Sequence, residues 1–256
     1  PRRSGRVRYS RMRILPALIS LTVAATTVLH AQAPAFPSFS DWDIVDSGGR
    51  TLTYLGRPSL FLARGIALMP GEEMADGSID ENFTMSKYIK GKIGILFFYP
   101  LDFTFVCPSE ILAFHNRAKE FETRGAKVIG VSIDSHFTHL AWRNTAVDKG
   151  GIGAINFPLV ADIKKTIARD YDVLVDDSVA FRGTFLIDSN GIVRHQVVND
   201  LPLGRNVDEA LRMVDALQFH EEHGEVCPAG WERGDDGMKA SADGVAKYLK
   251  KNASNL

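Results

Sequence analysis

The order of apolar runs and helical segments constrains the fold of this 256-residue chain more than any other feature of its sequence. Residues 93–99 form a nearly continuous apolar run that ends at Pro100, which is typical of a strand buried on both faces of a sheet. From Ile111 to Phe121 the apolar residues recur at helical spacing, and Gly125 predicts the end of that helix. A strand that leads directly into a helix is a building unit of an α/β sheet.

The same alternation continues along the chain. Asp188-Ser-Asn-Gly191 lies between two apolar runs and is a strong hairpin signal. We therefore predict an α/β domain with a thioredoxin-like fold, in which helices flank a mixed central sheet. The further strands are predicted at 128–133, 158–161, 180–187 and 192–199, and the further helices at 137–145, 164–171 and 207–217.

Three regions are predicted along the chain. Residues 1–50 form an extension whose last part, 33–50, has the Pro, Ser, Gly and Asp content of a linker. Residues 51–220 form the thioredoxin-like domain, and residues 221–256 form a C-terminal arm. The arm lacks an apolar face large enough for a domain of its own, so we expect it to pack on something else, such as a second subunit.

The first 40 residues contain no acidic side chain, and six arginines precede an apolar stretch at 14–29. A start at Met12 would give the form of a secretory signal peptide, although Pro34 disfavours cleavage after Ala33. A translated upstream extension is the alternative. The apolar stretch is short for a stable membrane span. We expect a cytoplasmic protein, or an exported or organellar one if this segment is a targeting peptide.

Composition excludes several functions. A formal net charge of −1 argues against binding to nucleic acid or to an anionic membrane. Two cysteines exclude a disulfide-rich scaffold and a four-cysteine zinc site, and they fit a reducing compartment. His136 and His139 lie at helical spacing without a third ligand, so no metal site is predicted. We expect six of the seven histidines to be structural or solvated, namely His115, His136, His139, His195, His220 and His223.

Cys107 lies at the predicted junction of strand and helix. The start of a helix offers free N–H groups and the positive end of its dipole, which together stabilise a thiolate. Thr104, three residues earlier, has a hydroxyl that both donates and accepts, and Arg182 is a candidate cation on a predicted strand. By composition alone, a cysteine beside Phe103 and Phe105 is more typical of a small buried side chain, but the order of Pro, Thr, Cys and Pro at a strand-to-helix junction favours a reactive thiol.

The run Phe-Tyr-Pro-Leu-Asp-Phe-Thr-Phe-Val-Cys-Pro-Ser-Glu at 98–110 resembles the active-site signature of the typical 2-Cys peroxiredoxins. That group includes the bacterial alkyl hydroperoxide reductase C proteins. The resemblance covers roughly residues 56–256. Further motifs in family order occur at 131–142, 181–183, 198–209 and, as Gly-Glu-Val-Cys-Pro-Ala-Gly-Trp, at 224–231.

The resemblance implies a thiol-dependent peroxidase that reduces hydrogen peroxide and organic hydroperoxides. Cys107 would be the peroxidatic cysteine, which attacks the O–O bond and becomes a sulfenic acid. Thr104 would bind the peroxide and the thiolate, and Pro100 would shield the sulfur from water. Arg182 would favour the thiolate and stabilise charge on the leaving oxygen.

The resemblance also implies the remaining parts of the reaction. Glu110 and Arg205 would orient the arginine network around the sulfur. Cys227 of a partner subunit would be the resolving cysteine, so the expected disulfide joins two chains of a homodimer, and such dimers would build a decamer. A thioredoxin-like or flavoprotein disulfide reductant would restore both thiols. No metal or organic cofactor is needed.

Parts of the chain depart from the family pattern. The domain opening at 56–61 differs, and residues 71–75 look inserted. The glycine motif at 150–153 resembles the one linked to overoxidation sensitivity in the family. Residues 248–249 are Tyr-Leu, whereas sensitive members have Tyr-Phe there, so the sensitivity of this chain to overoxidation stays open.

Two other functions compete with the peroxidase: a redox-switched chaperone and a domain with one structural disulfide. A disulfide-exchange oxidoreductase is disfavoured because no C-x-x-C occurs.

Overall fold

The computed structural model describes residues 64–69 and 78–256. The predicted extension at 1–50, the altered opening at 56–61 and the loop at 70–77 lie outside the described residues.

The described elements mix strands and helices along the chain and end with two helices. Two short 3-10 turns, Val147–Lys149 and Ala253–Asn255, accompany them. In chain order the elements are β1 (Arg64–Leu68), β2 (Ile79–Thr84), α1 (Met85–Tyr88), β3 (Ile93–Phe98), α2 (Cys107–Asn116), α3 (Ala118–Thr123), β4 (Ala126–Ser132), α4 (His136–Arg143), β5 (Leu159–Ala161), α5 (Thr166–Asp170), β6 (Leu174–Val175), β7 (Val179–Ala180), β8 (Arg182–Ile187), β9 (Val193–Asn199), α6 (Val207–His223) and α7 (Ala242–Asn252).

Seven strands form one mixed sheet in the order β2-β1-β5-β4-β3-β8-β9. The β3/β4 and β4/β5 pairs are parallel, whereas the β1/β2, β1/β5, β3/β8 and β8/β9 pairs are antiparallel. The predicted mixed sheet and the hairpin between the last two strands are therefore confirmed. β3 lies between β4 and β8, so the chain that follows it leaves from the interior of the sheet.

β3 is buried on both faces, as its apolar run predicts. Successive side chains point to opposite faces of a strand. Phe97 stacks on Phe114 of α2 with ring centroids 4.4 Å apart, in the layer that also contains α3 and α6. Phe98 meets Tyr171 at 5.2 Å in the opposite layer, which contains α1 and α5. Each buried phenylalanine side chain contributes about 1.5–3 kcal/mol to folding, so β3 anchors both layers.

Two predicted elements are each split in the structure. The helix predicted from Ile111 to Gly125 breaks at Arg117, where the backbone leaves helical geometry and the guanidinium pairs with Asp208 of α6. The strand predicted at 180–187 is also two strands. β7 pairs with β6 in a small sheet, and the chain enters the large sheet only at Arg182.

α1, β1, β2, β6 and α7 are not predicted from the sequence. The two residues of β6 are too few to show an alternating pattern. α7 has a Ser241 cap and apolar residues at helical spacing, Ala242, Val245, Ala246 and Leu249, yet none of its residues is buried in this chain.

The segment after α6 turns back onto that helix. Gly224 has a φ of 66°, a left-handed conformation that favours glycine at the end of a helix. Trp231 is buried, and its ring lies 4.9 Å from that of Phe219 on α6. Val226 and Met238 form an isolated antiparallel bridge. Part of the predicted arm thus packs on its own chain, while the division into extension, domain and arm stays a prediction.

Candidate active site

Cys107 is the first residue of α2 and is fully buried. The chain leaves β3 at Phe98, crosses residues 99–106 and enters the helix, with Pro108 in the first turn. Proline is tolerated there because the first N–H groups of a helix have no intrahelical partner. The predicted position of this cysteine at a strand-to-helix junction is confirmed.

Two donors converge on the sulfur of Cys107. The hydroxyl Oγ1 of Thr104 lies 3.0 Å from Sγ, and it also lies 2.8 Å from the carbonyl oxygen of Leu101. The guanidinium Nη1 of Arg182 lies 3.4 Å from Sγ. The sulfur therefore accepts a hydrogen bond from a positively charged group, and it accepts one from the Thr104 hydroxyl when the single hydroxyl proton points to Sγ rather than to the Leu101 carbonyl.

Arg182 is held by two acceptors besides the sulfur. Its Nη1 donates to Oε2 of Glu110 at 2.7 Å, and its Nε donates to the carbonyl of Leu201 at 2.7 Å. The side chains of Arg182 and Glu110 are 5% and 2% exposed, so this ion pair is screened little by water. The pair fixes the guanidinium that faces Cys107.

Arg205 binds the same carboxylate from the other side. Its Nε and backbone N donate to Oε1 of Glu110 at 2.9 and 3.0 Å, and its Nη2 donates to Oε2 at 2.8 Å. Its Nη1 donates to the carbonyls of Phe98 at 2.7 Å and of Gly183 at 3.0 Å. Arg205 therefore joins the ends of β3 and β8 to the first turn of α2. Burial lowers its pKa, and the hydrogen bonds and charge of Glu110 oppose that effect.

The charges of this cluster do not balance without the sulfur. Two buried guanidiniums, of Arg182 and Arg205, share the single carboxylate of Glu110. An uncompensated buried charge is costly, and a thiolate on Cys107 would supply the missing negative charge. The sulfur thus faces fixed donors whose cluster, counted without the sulfur, carries one net positive charge.

Cys227 occupies a different environment. Its sulfur is half-buried and donates to the carbonyl of Ala216 on α6 at 3.4 Å. Burial raises the pKa of the Cys227 thiol, and the charge of Arg212 partly opposes this. Both Cys107 and Cys227 are free thiols. The structure brings five of the predicted site residues together and gives Cys227 other partners. The five are Thr104, Cys107, Glu110, Arg182 and Arg205.

Pro100 is buried directly after Tyr99, and its shielding role stays a prediction. Sequence reasoning missed a second buried cluster nearby, in which the carboxylate of Asp102 binds the hydroxyl of Tyr99 and the imidazole of His139. His139 was expected to be structural or solvated, and it is fully buried. Asp102, within the 98–110 motif, was the one available signal, because its partner His139 is 37 residues away in sequence.

Within residues 64–69 and 78–256, no group of three His, Cys, Asp or Glu side chains is arranged to bind a metal ion. None of the helices in that part of the chain has both the length and the apolar character needed to cross a membrane.

Comparison with known families identifies the chain. Residues 69–196 match the AhpC/TSA family, and residues 216–251 match the C-terminal domain of 1-Cys peroxiredoxin. The chain belongs to the peroxiredoxin family. Cys227 lies within the second of these matches, so this peroxiredoxin carries a second cysteine in its C-terminal region.

Individual relatives agree with this assignment. The peroxiredoxin is 61% identical over 183 residues to alkyl hydroperoxide reductase C of Helicobacter pylori (strain ATCC 700392 / 26695), a match that covers 72% of this chain and 92% of that protein. It is 52% identical over 182 residues to peroxiredoxin-2 of Rattus norvegicus, covering 71% of this chain and 91% of the relative.

A solved structure supports the same fold. The reduced 2-Cys peroxiredoxin of Plasmodium vivax superposes with a TM-score of 0.72 at 48% identity, covering 77% of this chain and 99% of the other. The predicted thioredoxin-like fold and the predicted thiol-dependent peroxidase activity are confirmed.

Proposed function

We propose that this peroxiredoxin reduces hydrogen peroxide and organic hydroperoxides at Cys107. The observation that carries the proposal is the position of its sulfur, 3.0 Å from the hydroxyl of Thr104 and 3.4 Å from the guanidinium of Arg182. The second oxygen atom of a peroxide needs stabilisation as the O–O bond breaks, and these two donors lie next to the attacking atom.

In the first step the Cys107 thiolate attacks one oxygen of the hydroperoxide. The S–O bond forms with the sulfur electron pair, and the O–O electron pair leaves with the other oxygen as alkoxide or hydroxide. The proton on the attacked oxygen stays on the new sulfenic acid, and the leaving oxygen takes a proton from solvent. Thr104 and Arg182 stabilise the transferred charge, Glu110 and Arg205 hold Arg182 in place, and Pro100 shields the sulfur.

In the second step Cys227 of a second copy attacks the oxidised sulfur of Cys107. An S–S bond forms, the S–O bond breaks, and the departing hydroxide combines with the thiol proton as water. A dithiol reductant of the thioredoxin-like or flavoprotein class then supplies two electrons and two protons and restores both thiols. Support for the second copy comes from the separate partners of the two sulfurs within one chain.

The same proposal includes self-association. β9 is an edge strand, and an unpaired edge is a template for pairing with another chain. Phe105 and Phe137 are 97% and 68% exposed, which supports further contacts between dimers, up to a decamer. Residues 51–220 form the peroxidase domain, 221–256 supply the resolving arm, and the protein is cytoplasmic unless residues 1–50 direct it elsewhere.

The test combines activity with covalent state. Cys107→Ser should abolish peroxide consumption with a thioredoxin-type reductant, whereas Cys227→Ser should still consume one equivalent of peroxide per chain. Intact mass should show one added oxygen in Cys227→Ser, and a non-reducing gel should show a linked dimer for the unsubstituted protein. Full activity in Cys107→Ser would overturn the proposal, and an oxidised monomer with an internal disulfide would overturn the intersubunit step.

A further inference from the structure

The second buried cluster lies beside the active-site loop and takes no direct part in binding the sulfur. The side chains of Asp102 and His139 are both 0% exposed, and Tyr99 is fully buried. Burying a charged carboxylate is unfavourable unless its oxygens are well bonded, and apolar residues of similar volume would often give an equally stable core. Burial accordingly raises the pKa of the Asp102 carboxyl, and His139 opposes this in part. The cluster therefore needs an explanation other than packing.

Asp102 is held at three points from three directions. Its Oδ1 accepts from the hydroxyl of Tyr99 at 2.9 Å, and its Oδ2 accepts from Nδ1 of His139 on α4 at 2.7 Å. Its backbone N donates to Oδ2 of Asp134, after β4, at 2.9 Å. That oxygen also accepts from the hydroxyl of Ser132 at 2.7 Å. Both the side chain and the backbone of Asp102 are thus fixed to the framework of the sheet and α4.

The residue that follows has a strained backbone. Phe103 has a φ of 53°, in the left-handed region that is unfavourable for a side chain of this size. Its ring is half-exposed and lies 5.8 Å from that of Trp142, so burial alone does not hold it. A strained residue persists only when its neighbours are fixed, and here the fixed neighbour is Asp102.

The turn at Phe103 delivers Thr104 to the sulfur. The hydroxyl of Thr104 lies 2.8 Å from the carbonyl of Leu101 and 3.0 Å from Sγ of Cys107. Both contacts depend on the chain reversing between residues 101 and 104. If Asp102 were released, the left-handed turn would relax and the hydroxyl would move away from Sγ.

We propose that His139 and Asp102 are positioning residues for the peroxide reaction: their buried hydrogen bond fixes the turn that places the Thr104 hydroxyl against Cys107. This inference rests on the proposed function, because it takes Cys107 as the reacting sulfur. His139 acts through Asp102 and the turn rather than by contact with the sulfur.

The test uses two substitutions at one position, in a Cys227→Ser background that isolates the first step. His139→Leu removes the donor, whereas His139→Asn retains an N–H at the place of Nδ1. The control is the same substitution at another histidine, His115→Leu. His115 lies near the C-terminal end of α2, away from Cys107 at its start, and its Nδ1 lies 3.1 Å from Oδ1 of Asn156.

His139→Leu should slow the reaction of Cys107 with hydrogen peroxide by about 10- to 100-fold, because displacing a catalytic hydroxyl by about 1 Å has effects of that order. Alkylation by iodoacetamide, which needs no peroxide alignment, should not slow by more than about threefold. His139→Asn should restore most of the peroxide rate, and His115→Leu should change neither rate. Equal losses in both reactions would overturn the proposal, because they would indicate general damage to the site.

A double-mutant cycle with Thr104→Val gives the decisive result. If the cluster acts through Thr104, His139→Leu should cost less than about twofold once that hydroxyl is gone. Additive losses would overturn the proposal.

A readout that does not involve peroxide separates this inference from the proposed function. Amide hydrogen exchange at residues 101–106 should accelerate in His139→Leu and not in His139→Asn. Unchanged exchange would refute the positioning role even if Cys107 proved to be the peroxidatic residue. Faster exchange alongside full peroxidase activity in Cys107→Ser would overturn the proposed function alone.

Discussion

Replacing Glu110 with glutamine tests the central electrostatic argument about the active site. The carboxylate of Glu110 is 2% exposed and accepts four hydrogen bonds, one from Arg182 and three from Arg205. Glu110→Gln keeps the shape of the side chain but removes its charge. The amide retains one acceptor oxygen, and its NH₂ group points donors at a guanidinium that also carries only donors.

The expected loss follows from what remains buried. In Glu110→Gln, the NH₂ group replaces one carboxylate oxygen, so the hydrogen bonds that this oxygen accepts are lost. The guanidiniums of Arg182 and Arg205 also lose the negative charge that they share. Removing one partner of a buried ion pair costs about 3–5 kcal/mol in the free energy of unfolding. Glu209→Gln is the matched control, because Glu209 also makes two bonds to an arginine, Arg212, at 2.6 and 2.7 Å. Those side chains are 40% and 28% exposed, so the control should lose about 1 kcal/mol or less.

The assay is denaturant unfolding of the reduced proteins at equal concentration, followed by tryptophan fluorescence and by circular dichroism. Two probes test whether unfolding is a single transition, and equal concentration matters because self-association adds to apparent stability. The oligomeric state of each variant is measured by sedimentation. A loss for Glu110→Gln no larger than that for Glu209→Gln would refute the argument that the buried carboxylate holds two charges in place.

Three further predictions concern Cys227 and the core. In a Cys107→Ser protein, labelling of Cys227 by a thiol reagent should accelerate at a higher pH than in the unfolded chain, because burial raises its pKa. The folded state therefore holds the Cys227 proton more tightly than the unfolded chain does. The resulting contribution to the free energy of unfolding is present below the pKa of the unfolded thiol and is lost as the pH rises through the pKa of the folded thiol. Identical labelling profiles for the folded and unfolded protein would contradict this. Arg212→Gln should move the labelling profile to still higher pH, because the arginine charge opposes the effect of burial, and no movement would contradict it. Gly130→Ala should destabilise the fold by about 1–3 kcal/mol in denaturant unfolding, because its Cβ would lie 2.6 Å from Leu159; unchanged stability would contradict the packing.

Local chemistry made part of the site predictable. Thr104 and Cys107 are three residues apart, so one turn of chain brings their side chains together, and the apolar run of β3 locates the junction before α2. Arg182 was a candidate from its residue type and its predicted strand. These features depend on short sequence separations or on a single periodic pattern, and both are visible in one sequence.

Long-range partners were not predictable in the same way. Arg205 donates to the carbonyl of Phe98, which is 107 residues away in sequence, and only the family resemblance placed it near the site. His139 looked isolated because its partner, Asp102, is 37 residues away on a different element. The helix breaks at Arg117, whose guanidinium pairs with Asp208 on α6, 91 residues away in sequence. In each case the contact forms only once the sheet has fixed the distances between the elements. The periodicity of apolar residues in the sequence carries no information on those distances.

The two thiols differ in the direction of their hydrogen bonds, and this difference orders the proposed steps. Cys107 accepts from the guanidinium of Arg182 and lies 3.0 Å from the hydroxyl of Thr104, contacts that suit the attacking sulfur of the proposed first step. Cys227 donates to the carbonyl of Ala216, so it carries its proton while it rests on α6. A thiol in that position must leave the helix before its sulfur electron pair can reach a sulfenic acid on another chain. In the proposed reaction the arm, which Trp231 and Arg212 hold to α6, would therefore have to release Cys227 before a disulfide could form.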